Sequence, residues 1–327
     1  MHFLFSEAPA GPMSMTKLHR IAVLGAGAMG CLFGGRLCEA GYELILIDVN
    51  ELQIDAINRN GLQLLLNEDR HHIRVRAGYA HAFSGVVDLL IAFTKTHQLS
   101  RALDSVVHLV GPHTWVLTLQ NGLDNGDTIA RVVSRDRVAI GMTDWPADLR
   151  APGIIASHGQ GSIVFWSLSG EANEALESIE RALNRAGLRA STDLNVRSAI
   201  WEKAAFNAAM NTISAITGFQ VRQMADSGDI REIAHEVAIE AVATARALGI
   251  EADEQRIMAA LANAYATHRQ HEPSMLKDIR AGQSTEIDSI NGAIVEHAKR
   301  LGVATPVTQT LARLVRAIQA RTQGPRL

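Results

Sequence analysis

The sequence predicts an α/β domain on a parallel sheet over residues 20–193, followed by an all-helical domain over residues 194–327. Three observations carry that expectation. Short aliphatic runs alternate with helical patterns through the first half. After Val196 the strand signal nearly vanishes and long amphipathic helical patterns take over. A chain of 327 residues with 47% hydrophobic content is also long enough for two cores of ordinary size.

The first half opens with the buried-strand run Ile21 to Leu24, a helical run Met29 to Ala40, a second strand Glu43 to Asp48 and a helix Leu52 to Asn58. That order is the signature of βαβ units. Strand-like runs at Leu89 to Phe93, Trp115 to Leu119 and Val138 to Met142 continue the series, with helices expected at Leu99 to Val110 and Asp127 to Val133. The stretch Ile154 to Leu168, carrying Gly159 and Gly161, reads as a turn between two extended segments that finish the sheet, covered by a helix from Glu171 to Ala186. In the second half, helices are expected to Ala215, then over Ile230 to Leu248, Glu254 to Ala266, Glu286 to Leu301 and Thr308 to Ala320. Gly218, Gly249 and Gly302 lie just past such runs, where a left-handed cap is needed.

A net charge of -3 with interspersed signs leaves no electrostatic footprint for nucleic acid or an anionic membrane, so a small-molecule partner is the default. Cys31 and Cys38 fall in one expected helix about two turns apart, too far along its axis to bridge, and are expected as reduced, buried thiols. No metal site is expected. Residues 1–19 lack a basic leader or a long apolar run and read as a disordered or artificial extension; a cytoplasmic enzyme is the simplest class. The apolar helices after Ile230 are compatible with a homodimer.

Gly25-Ala26-Gly27-Ala28-Met29-Gly30 is a G-x-G-x-x-G pattern, which alone is weak because the spacing recurs by chance. Its place between a strand and a helix raises it to a dinucleotide-binding turn of Rossmann type. Gly25 permits the tight turn, Gly27 exposes bare backbone to a pyrophosphate, and Gly30 lets the helix pack on the strand, with Ala28 and Met29 at the helix N-terminus. Asp48, at the end of the second strand, would accept hydrogen bonds from the adenosine ribose and repel a 2′-phosphate, which favours NADH over NADPH. A structural turn and a solvated strand-end acid are the bland alternatives.

Four polar groups stand out beyond the turn. Thr94-Lys95-Thr96-His97-Gln98 and Leu119-Gln120-Asn121-Gly122 each follow a strand, at the sheet edge where open α/β folds bind ligands. Lys203, Asn207 and Asn211 share one face of a largely apolar helix. A solvated stripe would carry more opposite charge, whereas a buried amine and two amides need partners that a ligand supplies. Ser274-Met275-Leu276-Lys277-Asp278-Ile279-Arg280 and Thr285-Glu286-Ile287-Asp288 form the last cluster, in which Ser284 or Thr285 equally suits a local helix cap.

Taken in order, these residues resemble the ketopantoate reductase family. The likeness runs from the glycine turn through Lys95, Gln98, Gln120-Asn121-Gly122, Pro152-Gly153, His158-Gly159-Gln160-Gly161 and the Lys203/Asn207/Asn211 helix to Ser274-Met275-Leu276 and Thr285-Glu286-Ile287-Asp288. It implies a helical domain like that of 6-phosphogluconate dehydrogenase and reduction of a branched 2-keto acid, 2-dehydropantoate, by hydride from NADPH. By the same resemblance Lys203 is the general acid, Glu286 accepts a hydrogen bond from the substrate hydroxyl, and Ser274, Asn207 and Asn211 hold carboxylate and hydroxyls. Asn121 and Lys95 border the nicotinamide and substrate; Gln98 and Glu286 join the cofactor contacts.

Three residues depart from the family pattern. Asp48 replaces the basic or neutral residue suited to NADPH, Asp124 replaces a common Gly, and Trp166 stands where a small residue is usual and would reshape the pocket if its indole lay near the cleft. Two other functions fit the same residues: a β-hydroxyacid dehydrogenase-like oxidoreductase, and a non-catalytic dinucleotide sensor.

Overall fold

A computed structural model describes residues 18–323. The chain first forms β1 (Arg20–Leu24), α1 (Ala28–Glu39), β2 (Glu43–Ile47) and α2 (Glu51–Asn60), the expected βαβ start. Three strands without a clear aliphatic alternation follow: β3 (Leu62–Leu66), β4 (Asp69–Ile73) and β5 (Arg76–Gly78). Next come β6 (Leu89–Ala92), α3 (Leu99–Val106), β7 (Trp115–Thr118), α4 (Asn125–Ile129) and β8 (Val138–Thr143). The domain finishes with β9 (Asp148–Ala151), β10 (Ile154–Ser157), β11 (Ile163–Ser167), α5 (Glu174–Arg185) and β12 (Ala190–Thr192).

Eight strands form the main sheet in the order β12-β11-β8-β7-β6-β1-β2-β5. Neighbours from β8 through to β5 are parallel, and β11 runs antiparallel to β8. β6 and β7 are buried along their whole length, as strands covered on both faces must be. A second sheet, β4-β3-β10-β9, packs on the far side of α1. Consecutive glycines let this helix lie between two sheets: a Cβ on Gly34 would meet Leu46 at 2.6 Å in the main sheet, and one on Gly35 would meet Leu64 at 2.8 Å in the small one.

The small sheet corrects the expectation that Ile154 to Leu168 is a turn between two strands of one sheet. β10 pairs in parallel with β3, from Ile154 opposite Gln63 to Ser157 opposite Leu66, while β11 returns to the main sheet. Leu62, Leu64 and Ile155 are fully buried and need an apolar partner, which α1 provides. Another correction concerns the thiols. Cys31 is buried, and burial pushes its pKa up to about 12, but Cys38 is only half-buried and its thiol points to Arg74 O at 3.6 Å.

The helical domain comprises α6 (Val196–Thr217), α7 (Val221–Asp226), α8 (Gly228–Ala247), α9 (Glu254–Thr267), α10 (Ser274–Arg280), α11 (Ala293–Leu301) and α12 (Pro306–Gln323). α6 is its axis. Ala204, Ala205, Ala208 and Ala209 are buried, small side chains that bring neighbouring helices close. Gly218, Gly249 and Gly302 have φ of 74°, 76° and 70°, the left-handed geometry expected past helix ends. The helix expected from Glu286 instead opens at Asp288 with a π-helical turn to Gly292, then runs on as α11. Such turns recur at functional sites.

Residues 1–17 of the expected extension lie outside the described residues. Leu18 is buried, and the backbone N–H groups of His19 and Arg20 both donate to Asp88 Oδ2 at 2.8 Å, so the chain is anchored from there on. Among the described residues, no helix is long and apolar enough to cross a membrane.

Glu240 on α8 caps α12: its two oxygens accept from Val307 N at 2.9 Å and Thr308 N at 2.8 Å, with the side chain buried. These charge-assisted bonds satisfy N–H groups that a helix start leaves open. Glu240→Ala should therefore lower unfolding free energy by about 2 kcal/mol, and Glu240→Gln by less, as measured by urea denaturation; equal stability of Ala and wild type would remove the capping role.

Candidate active site

The glycine turn has the geometry its spacing requires. Gly25 has φ of +100°, and a Cβ there would meet Thr94 N at 2.7 Å, where β6 ends alongside β1. A Cβ on Gly30 would overlap the Gly25 carbonyl oxygen, whereas one on Gly27 would meet nothing within 4 Å. The bare space is thus at Gly27, which begins α1 with no side-chain cap and no acid in the first turn. An uncapped N-terminus beside open backbone is a fit for a pyrophosphate. Asp48 sits at the tip of β2, with Oδ2 accepting from Ala26 N at 2.5 Å and Oδ1 from Val49 N at 2.7 Å and Asn50 N at 2.9 Å. Buried Gln53 braces the turn from below, donating to Ala26 O at 2.8 Å and accepting from Gly153 N at 2.9 Å. The Pro152-Gly153 motif is therefore part of the support for the glycine turn.

Across the carboxyl edge of the sheet stands α6. Lys203 Nζ donates to Thr143 O, the last carbonyl of β8, at 2.5 Å. Burial lowers its pKa to about 8, opposed by the carboxylates of Asp144 and Glu286, which pull it back up. Asn207 and Asn211 follow along the helix, both buried, and among the described residues neither amide has a hydrogen-bond partner. A solvated stripe is thereby excluded. Two largely buried amides beside a half-buried amine leave hydrogen bonding to be met by something bound in the cleft.

Glu286 faces Lys203 from the segment before the π turn. Asn121 Nδ2 donates to its carboxylate at 3.4 Å, and Thr96 Oγ1 in turn donates to Asn121 O at 3.1 Å. Burial raises the pKa of Glu286 above the ordinary carboxylate value, against the pull of Lys95, Asn121 and Lys203. Gly122 lies tight against Ser289 and Leu123 N donates to Ser289 O at 2.8 Å, which fixes the Asn121 loop to the π turn. Asn291, wholly buried within that turn, donates to Ala208 O at 3.2 Å and accepts from Thr212 Oγ1 at 2.7 Å, tying it to α6.

Lys95, Asn121, Lys203 and Glu286 thus gather, with Asn207 and Asn211 one and two turns farther along the helix that carries Lys203. Ser274 begins α10 and is exposed, and Gln98 is exposed after β6, neither touching the others. Thr285 Oγ1 accepts from Ile287 N at 3.3 Å in a local turn and donates to Gln319, but the helix it was expected to cap opens later, at Asp288, with no side-chain cap. Two site residues escaped the sequence patterns. Asp278 is a buried acid paired with Lys95 at 2.8 Å, and Thr143 acts through its carbonyl, which no side-chain motif signals. Asp278 lies four residues after Ser274 on the same short helix, and that spacing was the available clue.

Two departures are resolved. Trp166 lies on β11 opposite Ile140, three residues down from the Ile163–Thr143 pair, and its indole donates to Gly170 O at 3.0 Å. It is thus held in its own turn, while the Trp145 indole donates to Leu188 O at 2.8 Å and the Trp145 backbone presses on Gly161, leaving no room for a side chain there. Asp124 has φ of 65°, the left-handed geometry that suits the Gly it replaces, and its carboxylate meets His297 Nε2 at 2.8 Å.

A doubly covered parallel sheet with a glycine turn, joined to a helical domain that brings an amine to the sheet's carboxyl edge, defines a dinucleotide-dependent oxidoreductase. The model of ketopantoate reductase PanE/ApbA matches residues 21–170 and that of its C-terminal region residues 195–319. The chain belongs to the ketopantoate reductase family. The 2-dehydropantoate 2-reductase of Streptococcus pyogenes serotype M1 is 32% identical over 301 residues, covering 92% of this chain and 98% of its own. That of Pyrococcus horikoshii is 34% identical over 299 residues, covering 91% and 97%. Among solved structures, D-mandelate dehydrogenase with NADH and anilino(oxo)acetate superposes with a TM-score of 0.89 at 32% identity, over 93% of this chain and all of that one, 100%. The ketopantoate reductase of Ralstonia eutropha JMP134 superposes at 0.86 with 30% identity, over 93% and 100%.

The glycine geometry yields a pair of opposite outcomes. Gly27→Ala should fold with little change in melting temperature yet weaken NADH binding about tenfold or more, read by protein-fluorescence quenching. Gly30→Ala should lower the melting temperature itself. Equal NADH affinity of Gly27→Ala and wild type would show that the open backbone is not where the pyrophosphate rests.

The two opposed titrations predict a bell-shaped pH dependence of kcat/KM for a reaction that needs Lys203 protonated and Glu286 ionised. Rate should fall as pH rises through about 8. On the acid side it should fall as Glu286 protonates, above the ordinary carboxylate value. Asp144→Asn removes a charge that favours the ammonium, so the basic limb should move to lower pH; a limb that stays in place or moves up would remove Asp144 from this role.

Proposed function

We propose that this chain reduces a branched 2-keto acid, 2-dehydropantoate, to the 2-hydroxy acid, with Lys203 as general acid. The observation that carries this reading is the half-buried Lys203 amine, held at the sheet edge and facing Glu286, with two unpartnered amides beside it. When bound, the dihydronicotinamide supplies hydride to the ketone carbon. The Lys203 ammonium points at the ketone oxygen, stabilises the growing alkoxide and gives it a proton. A lowered proton affinity makes that donation easier near neutrality. Glu286 accepts the hydrogen bond of a substrate hydroxyl, while Asn207, Asn211 and Ser274 hold the carboxylate and hydroxyls. Lys95 and Asn121 border nicotinamide and substrate, and Gln98 lies beside the cofactor.

We infer NADH as the preferred cofactor. Three backbone N–H groups fix the Asp48 carboxylate at the strand tip, where it meets ribose hydroxyls and repels a 2′-phosphate. Val49 and Leu52 are unusually exposed beside it, 81% and 71%, and offer an apolar surface for the adenine. The NADH complexes of D-mandelate dehydrogenase support the same choice.

One observation favours a second substrate class. D-Mandelate dehydrogenase, holding an anilino-substituted oxoacetate, superposes on this chain with a TM-score of 0.89, so an aryl 2-keto acid is the competing reading. A spectrophotometric assay with 2-dehydropantoate and phenylglyoxylate, each with NADH and NADPH, separates the readings. Higher kcat/KM for 2-dehydropantoate with NADH is expected; higher values for phenylglyoxylate, or for NADPH, would overturn the substrate or the cofactor assignment in turn. Lys203→Ala should cost on the order of a thousandfold in kcat, and retained turnover would exclude it as the acid.

A further inference from the structure

An incomplete ring of contacts runs from the strand end that holds Lys203 round to Glu286, which is linked to the amine by charge alone. From Thr143, whose carbonyl holds Lys203, the chain runs through Asp144, Trp145, Pro146 and Ala147 to Asp148 at the start of β9. Asp148 Oδ1 accepts from Lys277 Nζ on α10 at 3.0 Å. The next residue of α10, Asp278, pairs with Lys95 at 2.8 Å, and from Lys95 the ring continues through Thr96 and Asn121 to Glu286. Residues 277 and 278 are about 100° apart on a helix, so one short element reaches two separate points of the other domain with charges of opposite sign. Met275, Leu276 and Ile279 bury the remaining face of α10 in the helical domain.

The two links differ in strength. Lys95 and Asp278 are 37% and 12% exposed, so one partner of that pair is shielded from water, whereas Lys277 and Asp148 are 45% and 44% exposed. An exposed pair contributes little and parts easily. A lysine also makes a single point contact without the forked grip of an arginine. Arg150 stands 4.0 Å from Asp148 on the same strand and cannot bridge the two domains.

We propose that Lys277 and Asp148 form the latch of the substrate entrance: their ion pair holds α10 against β9 when the cleft is closed, and its rupture opens the cleft for exchange. The pair lies one helical turn from Ser274 and five residues from Thr143, so it acts through the position of both walls and touches no reacting atom. It rests on the keto-acid reading for its kinetic consequence, but not for its physical one.

Lys277→Gln and Asp148→Asn are each expected to raise KM for the turned-over keto acid about two- to fivefold, the range of an exposed ion pair, with kcat at or above wild type. The charge exchange Lys277→Asp with Asp148→Lys should bring KM back to within about twofold of wild type. Independently of substrate, hydrogen exchange of the NADH-bound protein should quicken over residues 144–151 and 274–280 in each single variant and return in the exchanged pair. Single variants with wild-type KM and wild-type exchange would overturn the latch, as would a charge-exchanged protein as impaired as the singles. Absence of any keto-acid turnover in wild type would instead sink the proposed reaction and leave the exchange rates to judge the latch.

Discussion

One amine placed between two domains is the constraint around which the molecule is arranged. Lys203 must lie deep enough for its proton affinity to fall, yet keep an acceptor, and the main-chain carbonyl at the end of β8 supplies it. A carbonyl at a strand end is rigid, and unlike a carboxylate it adds no net charge that would bind the proton too tightly. The length of α6 follows from the same need. Its first turns reach the sheet edge, and its alanine-rich body anchors the lysine in the packed helical core.

The opposite wall is built by less regular means. Glu286 sits just before a π turn, where the backbone winds wider than an α-helix, and Asn291 inside that turn is bonded to α6. A carboxylate and an amine that must face each other are thus referenced to one helix, Glu286 through the turn and Lys203 directly. The cofactor side is referenced to the small sheet through Gln53, which clamps the glycine turn to the loop between β9 and β10. Few of these supports touch the reacting atoms, but each fixes an angle between groups that do.

What could be read from the sequence was local. The strand-to-helix glycine turn, the glycines that end helices and the one-face spacing of Lys203, Asn207 and Asn211 each depend on residues within a few turns of one another. The small sheet was opaque for the opposite reason: β3 finds its partner β10 some ninety residues later, so only the folded chain reveals why Leu62 and Leu64 are buried. Trp166 was misplaced on the same ground, since spacing along β11 does not tell which end of the strand meets the cleft. Asp278 and Lys277 fell inside a polar cluster that carried no sign of which of its charges pair, and their partners Lys95 and Asp148 lie far away in sequence. Thr143 could not have been found at all, because a backbone carbonyl carries no residue-type signal.

The chain has five lysines, Lys17, Lys95, Lys203, Lys277 and Lys299, few enough for each to be resolved by NMR after labelling the lysine ε-carbons. Titration of those carbons from pH 6 to 12 reads the central claim directly. The Lys203 signal, assigned by its absence from Lys203→Ala, should move with a midpoint near 8. A Lys203 midpoint at the ordinary value would mean that the amine stands in water, and the proposed acid would be lost.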